Sequence, residues 1–158
     1  MYDVIVVGGG PVGSQAAYML ARNGYAIAVV EQKTNQRDAI CCTGIVSEEC
    51  LRTFEIDQRV VARHVNSASL FSPSGKKIRL ERTAPQAAVL DRAAFNVFMS
   101  DRARGRGAEY IPGTRVVAID TRGDQALVTI ASQEVELQLK AKAVVVATGF
   151  NSFLTETL

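Results

Sequence analysis

Apolar and polar positions follow a few distinct rhythms along this chain. Asp3 to Val7 is apolar at nearly every position, as strands buried on both faces of a parallel sheet are. From Val12 to Asn23 the rhythm becomes helical, with Ala16, Ala17, Leu20 and Ala21 on one face and Gly24 as the stop. Ala26 to Val30 is again unbroken and ends on Glu31. Strand, turn, helix and strand together take about thirty residues, the size of one right-handed parallel crossover.

The stretch from Gln32 to Gly44 is polar and irregular. Ser47 is placed to cap a short helix whose first turn carries Glu48 and Glu49. Ser67 to Phe71 and Lys76 to Leu80 flank SPSG and read as a hairpin. A second helix is written in VLDRAAFNVFMSDRARGRG: Asp91 caps it, Phe95, Phe98 and Met99 form its inner stripe, and Gly107 ends it. Arg102, Arg104 and Arg106 crowd its last turn, where a solvated end complementing the helix dipole is expected. Arg115 to Asp120, Ala126 to Ala131 and Glu134 to Leu139 then alternate as an antiparallel meander with one wet face. Ala143 to Ala147 returns to an apolar run that rejoins the parallel sheet. The expected class is α/β: a Rossmann-like parallel sheet, an antiparallel meander and a hairpin excursion.

Composition narrows the function. A chain of 158 residues, 47% apolar and 22% charged, fits one globular domain. A net charge of +2 is too small to point to nucleic acid. No apolar run reaches the roughly 18 residues that a membrane helix needs. The strand-like run begins almost at Met1, so no signal or transit peptide is expected. Cys41, Cys42 and Cys50, an odd set with an adjacent pair, make a poor disulfide framework and point to a reducing cytosol. Without C-x-x-C, and with His64 as the only histidine, a zinc site or a histidine-dependent triad is not expected.

Gly8, Gly10 and Gly13 form G-x-G-x-x-G between a strand and a helix, with an acid at the end of the next strand. That context makes the pattern a dinucleotide fingerprint. Gly8 permits the tight turn, Gly10 lets the backbone approach a pyrophosphate, and Gly13 lets the helix lie close on the sheet. Pro11 suits the first helical turn, where its missing N–H has no intrahelical role. Glu31 is suited to accept both ribose hydroxyls and would repel a 2′-phosphate, which disfavours NADP.

The opening from Asp3 to Glu31, the long excursion and the return through VVVATG resemble the FAD-binding domain of the glutathione-reductase and p-hydroxybenzoate-hydroxylase superfamily. Within it, CCTGIVS at Cys41 to Ser47, VLDRAAFNVFMSDRARGRGAEY at Val89 to Tyr110, and VVVATGFNS at Val144 to Ser152 resemble the geranylgeranyl reductase family. The resemblance implies FAD held by Gly8, Gly10, Pro11, Val12, Gly13, Glu31 and Gln32, by Arg92, and by Ala147, Thr148 and Gly149. It places Cys41 or Cys42 near the flavin ring, with the choice between them open. An ordinary thiol, of pKa about 8.5, is only about 3% thiolate at pH 7, so either cysteine acts as a thiol or packing group unless its site lowers that pKa. The implied partners are a prenyl-lipid or other hydrophobic substrate and an external electron donor. The implied location is cytoplasmic and peripheral to the membrane.

Members of that family are longer, so residues 1–158 are expected to be the N-terminal portion of an FAD-binding domain, without its second flavin motif or substrate domain. The leading expectation is a flavin-dependent reductase of prenyl C=C bonds. A flavin monooxygenase or halogenase acting on an aromatic substrate is one alternative. A non-catalytic FAD-binding module completed by a partner is the other.

Overall fold

The structure, a computed structural model, describes residues 1–35, 37, 42–133 and 135–149. Along the chain run β1 (Tyr2–Val7), α1 (Pro11–Arg22), β2 (Ile27–Glu31), β3 (Ile45–Ser47), α2 (Glu48–Thr53), a 3-10 turn (Gln58–Val60), β4 (Val61–Val65), β5 (Ser67–Phe71), β6 (Lys77–Glu81), β7 (Ala87–Leu90), α3 (Arg92–Arg104), β8 (Glu109–Pro112), β9 (Arg115–Asp120), β10 (Ala126–Ala131) and β11 (Glu136–Val146). Two compact units result, Met1–Asp38 with Asn96–Leu158, and Ala39–Phe95; the division falls inside α3.

The first unit is built on one six-stranded sheet in the order β8-β2-β1-β11-β10-β9. Its first four strands are parallel, and β11, β10 and β9 are antiparallel. β1 and β2 both lie inside the sheet rather than at its edge, because their apolar runs suit burial on both faces. Val4, Val6, Ile27 and Val29 pack with Ala17, Tyr18 and Ala21 of α1 and Ala103 of α3. Ile5, Val7, Ala28 and Val30 form a second core with Val116, Val128, Ile130 and Ala141. Each fully buried Ile or Val contributes about 1.5–3 kcal/mol relative to exposure.

The expected strands at Glu134 to Leu139 and Ala143 to Ala147 are in fact one strand, β11. Its first half pairs antiparallel with β10, its second half parallel with β1, and Ala141 belongs to both ladders. Lys140 and Lys142 read as a break in the sequence, yet both are exposed outward positions on an unbroken strand. Lys142 is tied there to Asp3 at 2.7 Å. β8, absent from the pattern reading, is short, bonded only to β2 and closed by Pro112, which is tolerated at a sheet edge.

The buried stripe of α1 also departs from expectation. Besides Gly13 it is Ser14, Ala17, Tyr18 and Ala21, with Ala16 and Leu20 only partly covered. Tyr18 is buried beneath arginines, Arg102 lying 4.1 Å and Arg22 5.7 Å from its ring centre. Arg102 and Arg104 are therefore more than a solvated helix end. Arg102 also reaches Phe98, and Arg104 lies 4.3 Å over Tyr110, contacts worth about 0.5–2 kcal/mol each. On α3, Phe95 and Met99 are buried as expected, with Ala103 one turn further along.

The second unit holds an antiparallel sheet, β3-β7-β4, and the β5–β6 hairpin. Ser47 Oγ accepts the Cys50 N–H at 3.0 Å, capping α2 as its sequence predicts. Asp91 Oδ1 does the same for Ala94 at the start of α3. His64 has a surface role, set between Glu48 at 2.6 Å and Gln58 at 3.0 Å.

Candidate functional site

The glycine turn is shaped by two hard steric constraints and one open space. Gly8 leaves β1 at φ +104°, and a Cβ there would come within 2.5 Å of the Ala147 oxygen and 3.2 Å of Thr148 Cα. Only glycine fits. Thus Ala147 and Thr148, from the end of the last strand, lie against the turn, with Gly149 following at φ +78°. At Gly13 a Cβ would overlap the Gly8 carbonyl oxygen, because the first turn of α1 rests on the end of β1.

Gly10 is different. Its φ of −68° and ψ of −178° are open to any residue. A Cβ on it would meet no atom within 4 Å. Neither backbone conformation nor internal packing demands glycine there, so the free space is the distinguishing property. Pro11 is the first helical residue, and Val12 beside it is 74% exposed. The first intrahelical bond runs from Ser14 N–H to Gly10 O at 2.8 Å. The N–H groups of Val12 and Gly13 precede that bond at the positive end of the helix dipole, a standard setting for an anion.

Glu31 closes the notch from the end of β2. It is 9% exposed; Oε2 accepts the Gly9 N–H at 2.6 Å and Oε1 accepts the Lys33 N–H at 2.8 Å. Each oxygen retains a lone pair for a sugar hydroxyl. Gln32 follows on the exposed side. An adenine dinucleotide fits this donor set: N–H groups for the diphosphate, a carboxylate for the ribose, and no side chain where the backbone must come close.

Pattern reasoning missed two polar residues here. Ser14 is fully buried and donates to Gly9 O at 2.9 Å, while Tyr110 OH donates to Ser14 Oγ at 2.8 Å. A serine inside an otherwise small apolar helix stripe was the available signal for the first. Tyr110 lies on the unanticipated β8.

In the second unit, the cysteine loop and the start of α3 meet at Gly44. Its φ is +71°, and a Cβ would come within 2.8 Å of Leu90 O and 3.0 Å of the Arg92 Cγ and Cδ. Gly44 N–H donates to Cys42 Sγ at 3.4 Å, and its carbonyl accepts from Leu90 N–H. Arg92 lies 5.2 Å over the Phe95 ring, and its Nε is buried with no partner among the described residues. Cys42 is an exposed thiol. Cys41 lies outside the described residues. Among the described residues, no cluster of His, Cys, Asp or Glu is arranged to hold a metal ion.

The sequence pattern of the FAD binding domain family matches residues 1–158. The chain belongs to that family. FAD is accordingly the dinucleotide of this FAD binding domain, as the resemblance implied. The chain is 30% identical over 156 residues to the digeranylgeranylglycerophospholipid reductase of Methanocaldococcus jannaschii, covering 99% of this chain and 40% of that enzyme. It superposes on a geranylgeranyl bacteriochlorophyll reductase-like protein of Thermoplasma acidophilum with a TM-score of 0.85 and 28% identity, over 94% of this chain and 39% of the other. A myxobacterial FAD-dependent halogenase shares the fold, with a TM-score of 0.80 at 21% identity. The expected likeness to geranylgeranyl reductases is thus found along nearly the whole of this chain. This chain spans about two-fifths of the length of its reductase relatives.

Proposed function

We propose that this FAD binding domain serves an oxidoreductase of the geranylgeranyl reductase type, saturating C=C bonds of prenyl lipids. The observation that carries the reading is the 30% identity to a digeranylgeranylglycerophospholipid reductase in an alignment that covers 99% of the chain. FAD, when bound, supplies the hydride that saturates such a bond together with a proton. The chain's own part is to hold it. Gly10, Val12 and Gly13 offer main-chain N–H groups to the diphosphate, and Glu31 takes the ribose hydroxyls. The buried Nε of Arg92, without a partner among the described residues, suits a further acceptor on FAD. Gly44 links the cysteine loop to Arg92: its N–H donates to Cys42 Sγ, and the Arg92 side chain packs against it.

In this proposal the 158 residues capture the cofactor, while turnover needs the remaining length that the reductase relatives possess. An external electron donor is required. Among the described residues no helix is long and apolar enough to cross a membrane. The test is a titration of the purified chain with FAD, followed by dithionite reduction and addition of a geranylgeranyl lipid. A yellow protein whose flavin is not reoxidised by the lipid is expected. Failure to bind FAD would refute the assignment of the turn. Saturation of the lipid by the chain alone would refute the division of labour.

A further inference from the structure

We propose that Tyr110, on the edge strand β8, is a positioning residue for the diphosphate, acting through Ser14 to fix the Gly9–Gly10 peptide. The proposal rests on reading the glycine turn as the FAD cradle. Most main-chain groups of the turn are held by neighbours. Gly8 N–H donates to Val30 O at 2.8 Å, Gly9 N–H to Glu31 at 2.6 Å, and Gly10 O accepts from Ser14 N–H at 2.8 Å. The Gly9 carbonyl is held by a side chain instead, Ser14 Oγ, at 2.9 Å.

That bond has a geometric consequence. A trans peptide carries its C=O and N–H on opposite sides. Tying the Gly9 oxygen to α1 therefore turns the Gly10 N–H away from Ser14 and leaves it unclaimed by this bond. With glycine on both sides, the peptide is otherwise free to rotate. The tether removes that freedom before a ligand arrives, which is the benefit of preorganisation.

Ser14 has one hydroxyl hydrogen, and a helical serine ordinarily spends it on the carbonyl four residues back. Here that carbonyl is Gly10 O. Tyr110 OH donates to Ser14 Oγ at 2.8 Å, occupying a lone pair and setting the hydroxyl's direction toward Gly9. Tyr110 is itself held from two sides. β8 pairs with β2 at Val29↔Tyr110, and the Arg104 guanidinium lies 4.3 Å over the ring. Burial pushes the Tyr110 phenol above its ordinary value, so it remains a donor at neutral and mildly alkaline pH.

The test compares the full chain with Tyr110→Phe, Ser14→Ala and the double variant. Each is titrated with FAD, ADP and adenosine, and the melting temperature is measured without ligand. FAD and ADP should bind about 3- to 10-fold more weakly to each single variant, the scale of one hydrogen bond. The double variant should bind no more weakly than Ser14→Ala, because the phenol acts through the hydroxyl. Adenosine, which lacks the diphosphate, should keep its affinity, a split that a general loss of stability would not produce. If Ser14→Ala does not fold, the ADP-against-adenosine split in Tyr110→Phe decides alone. Wild-type ADP affinity in Tyr110→Phe, or equal losses for ADP and adenosine, overturns the relay. A wild-type chain that binds neither FAD nor ADP overturns the reading of the turn instead.

Discussion

A methyl group added at Gly10 and one added at Gly13 meet opposite surroundings. At Gly13 it would collide with the Gly8 carbonyl, a main-chain atom that cannot move without parting α1 from β1. Gly13→Ala is expected to cost about 3 kcal/mol or more, read as a lowered urea midpoint, because overpacking against backbone finds no relief. At Gly10 the methyl enters open space at an unstrained backbone. Losing a glycine N-cap and gaining a stiffer unfolded chain roughly offset each other. Gly10→Ala should therefore leave the urea midpoint within about 0.5 kcal/mol of wild type while weakening FAD at least about tenfold. The three glycines were legible as a set from the sequence, because their spacing between strand and helix is diagnostic. Their separate tasks were expected from the fingerprint as well; the coordinates add which atoms a side chain at Gly8 or Gly13 would strike, and that one at Gly10 would strike none.

Strand β1 is stitched at its start by one carboxylate. Asp3 accepts from Lys142 of β11 and from the Ala26 N–H just before β2. The Lys142 ammonium, and then the Ala26 N–H, hold the Asp3 carboxyl below its usual range. Its contribution is complete above the unfolded pKa of about 3.9 and is lost as pH falls through the folded value. Asp3→Asn should lower the urea midpoint at pH 7 and flatten the fall in stability as the pH drops below about 4, measured as midpoints at successive pH values. Asp57 and Asp120, held at about 2 mainly by the Arg59 and Arg122 side chains, lie only two residues from those partners. Such pairs can persist in the unfolded chain and shift the profile less. Among the elements, β1, α1, β2, the β5–β6 hairpin and α3 were readable because period and turn residues agreed. β8 was not, since four residues with exposed ends carry too little period to register. The strand β11 was read as two because its outward lysines interrupt the apolar run.

Burial across the molecule is uneven enough to predict its local stability. β1 and β2 are covered on both faces, whereas every residue of β5 and β6 is exposed. An isolated two-stranded ribbon is marginal in water. Amide hydrogen exchange should thus be slowest in β1, β2 and the Ala141–Val146 half of β11, and faster by orders of magnitude in Ser67–Glu81. Comparable protection of hairpin and central strands would show that something covers Leu70, Ile78 and Leu80. The α/β class was legible from the alternation of runs and helical stretches. That the parallel and antiparallel parts share a single sheet was not, because strand pairing is a non-local property.

The shared sheet couples two lengths that look independent. Ala141 is the common rung of both ladders, and the chain leaving β11 after Val146 brings Ala147 and Thr148 against Gly8. Removing one residue between Leu137 and Lys142 would force a choice: keep step with β10, or keep the floor beneath the cofactor turn. Insertions in the connection between β10 and β11 pose no such conflict, so length variation among relatives should collect there and be excluded from the strand.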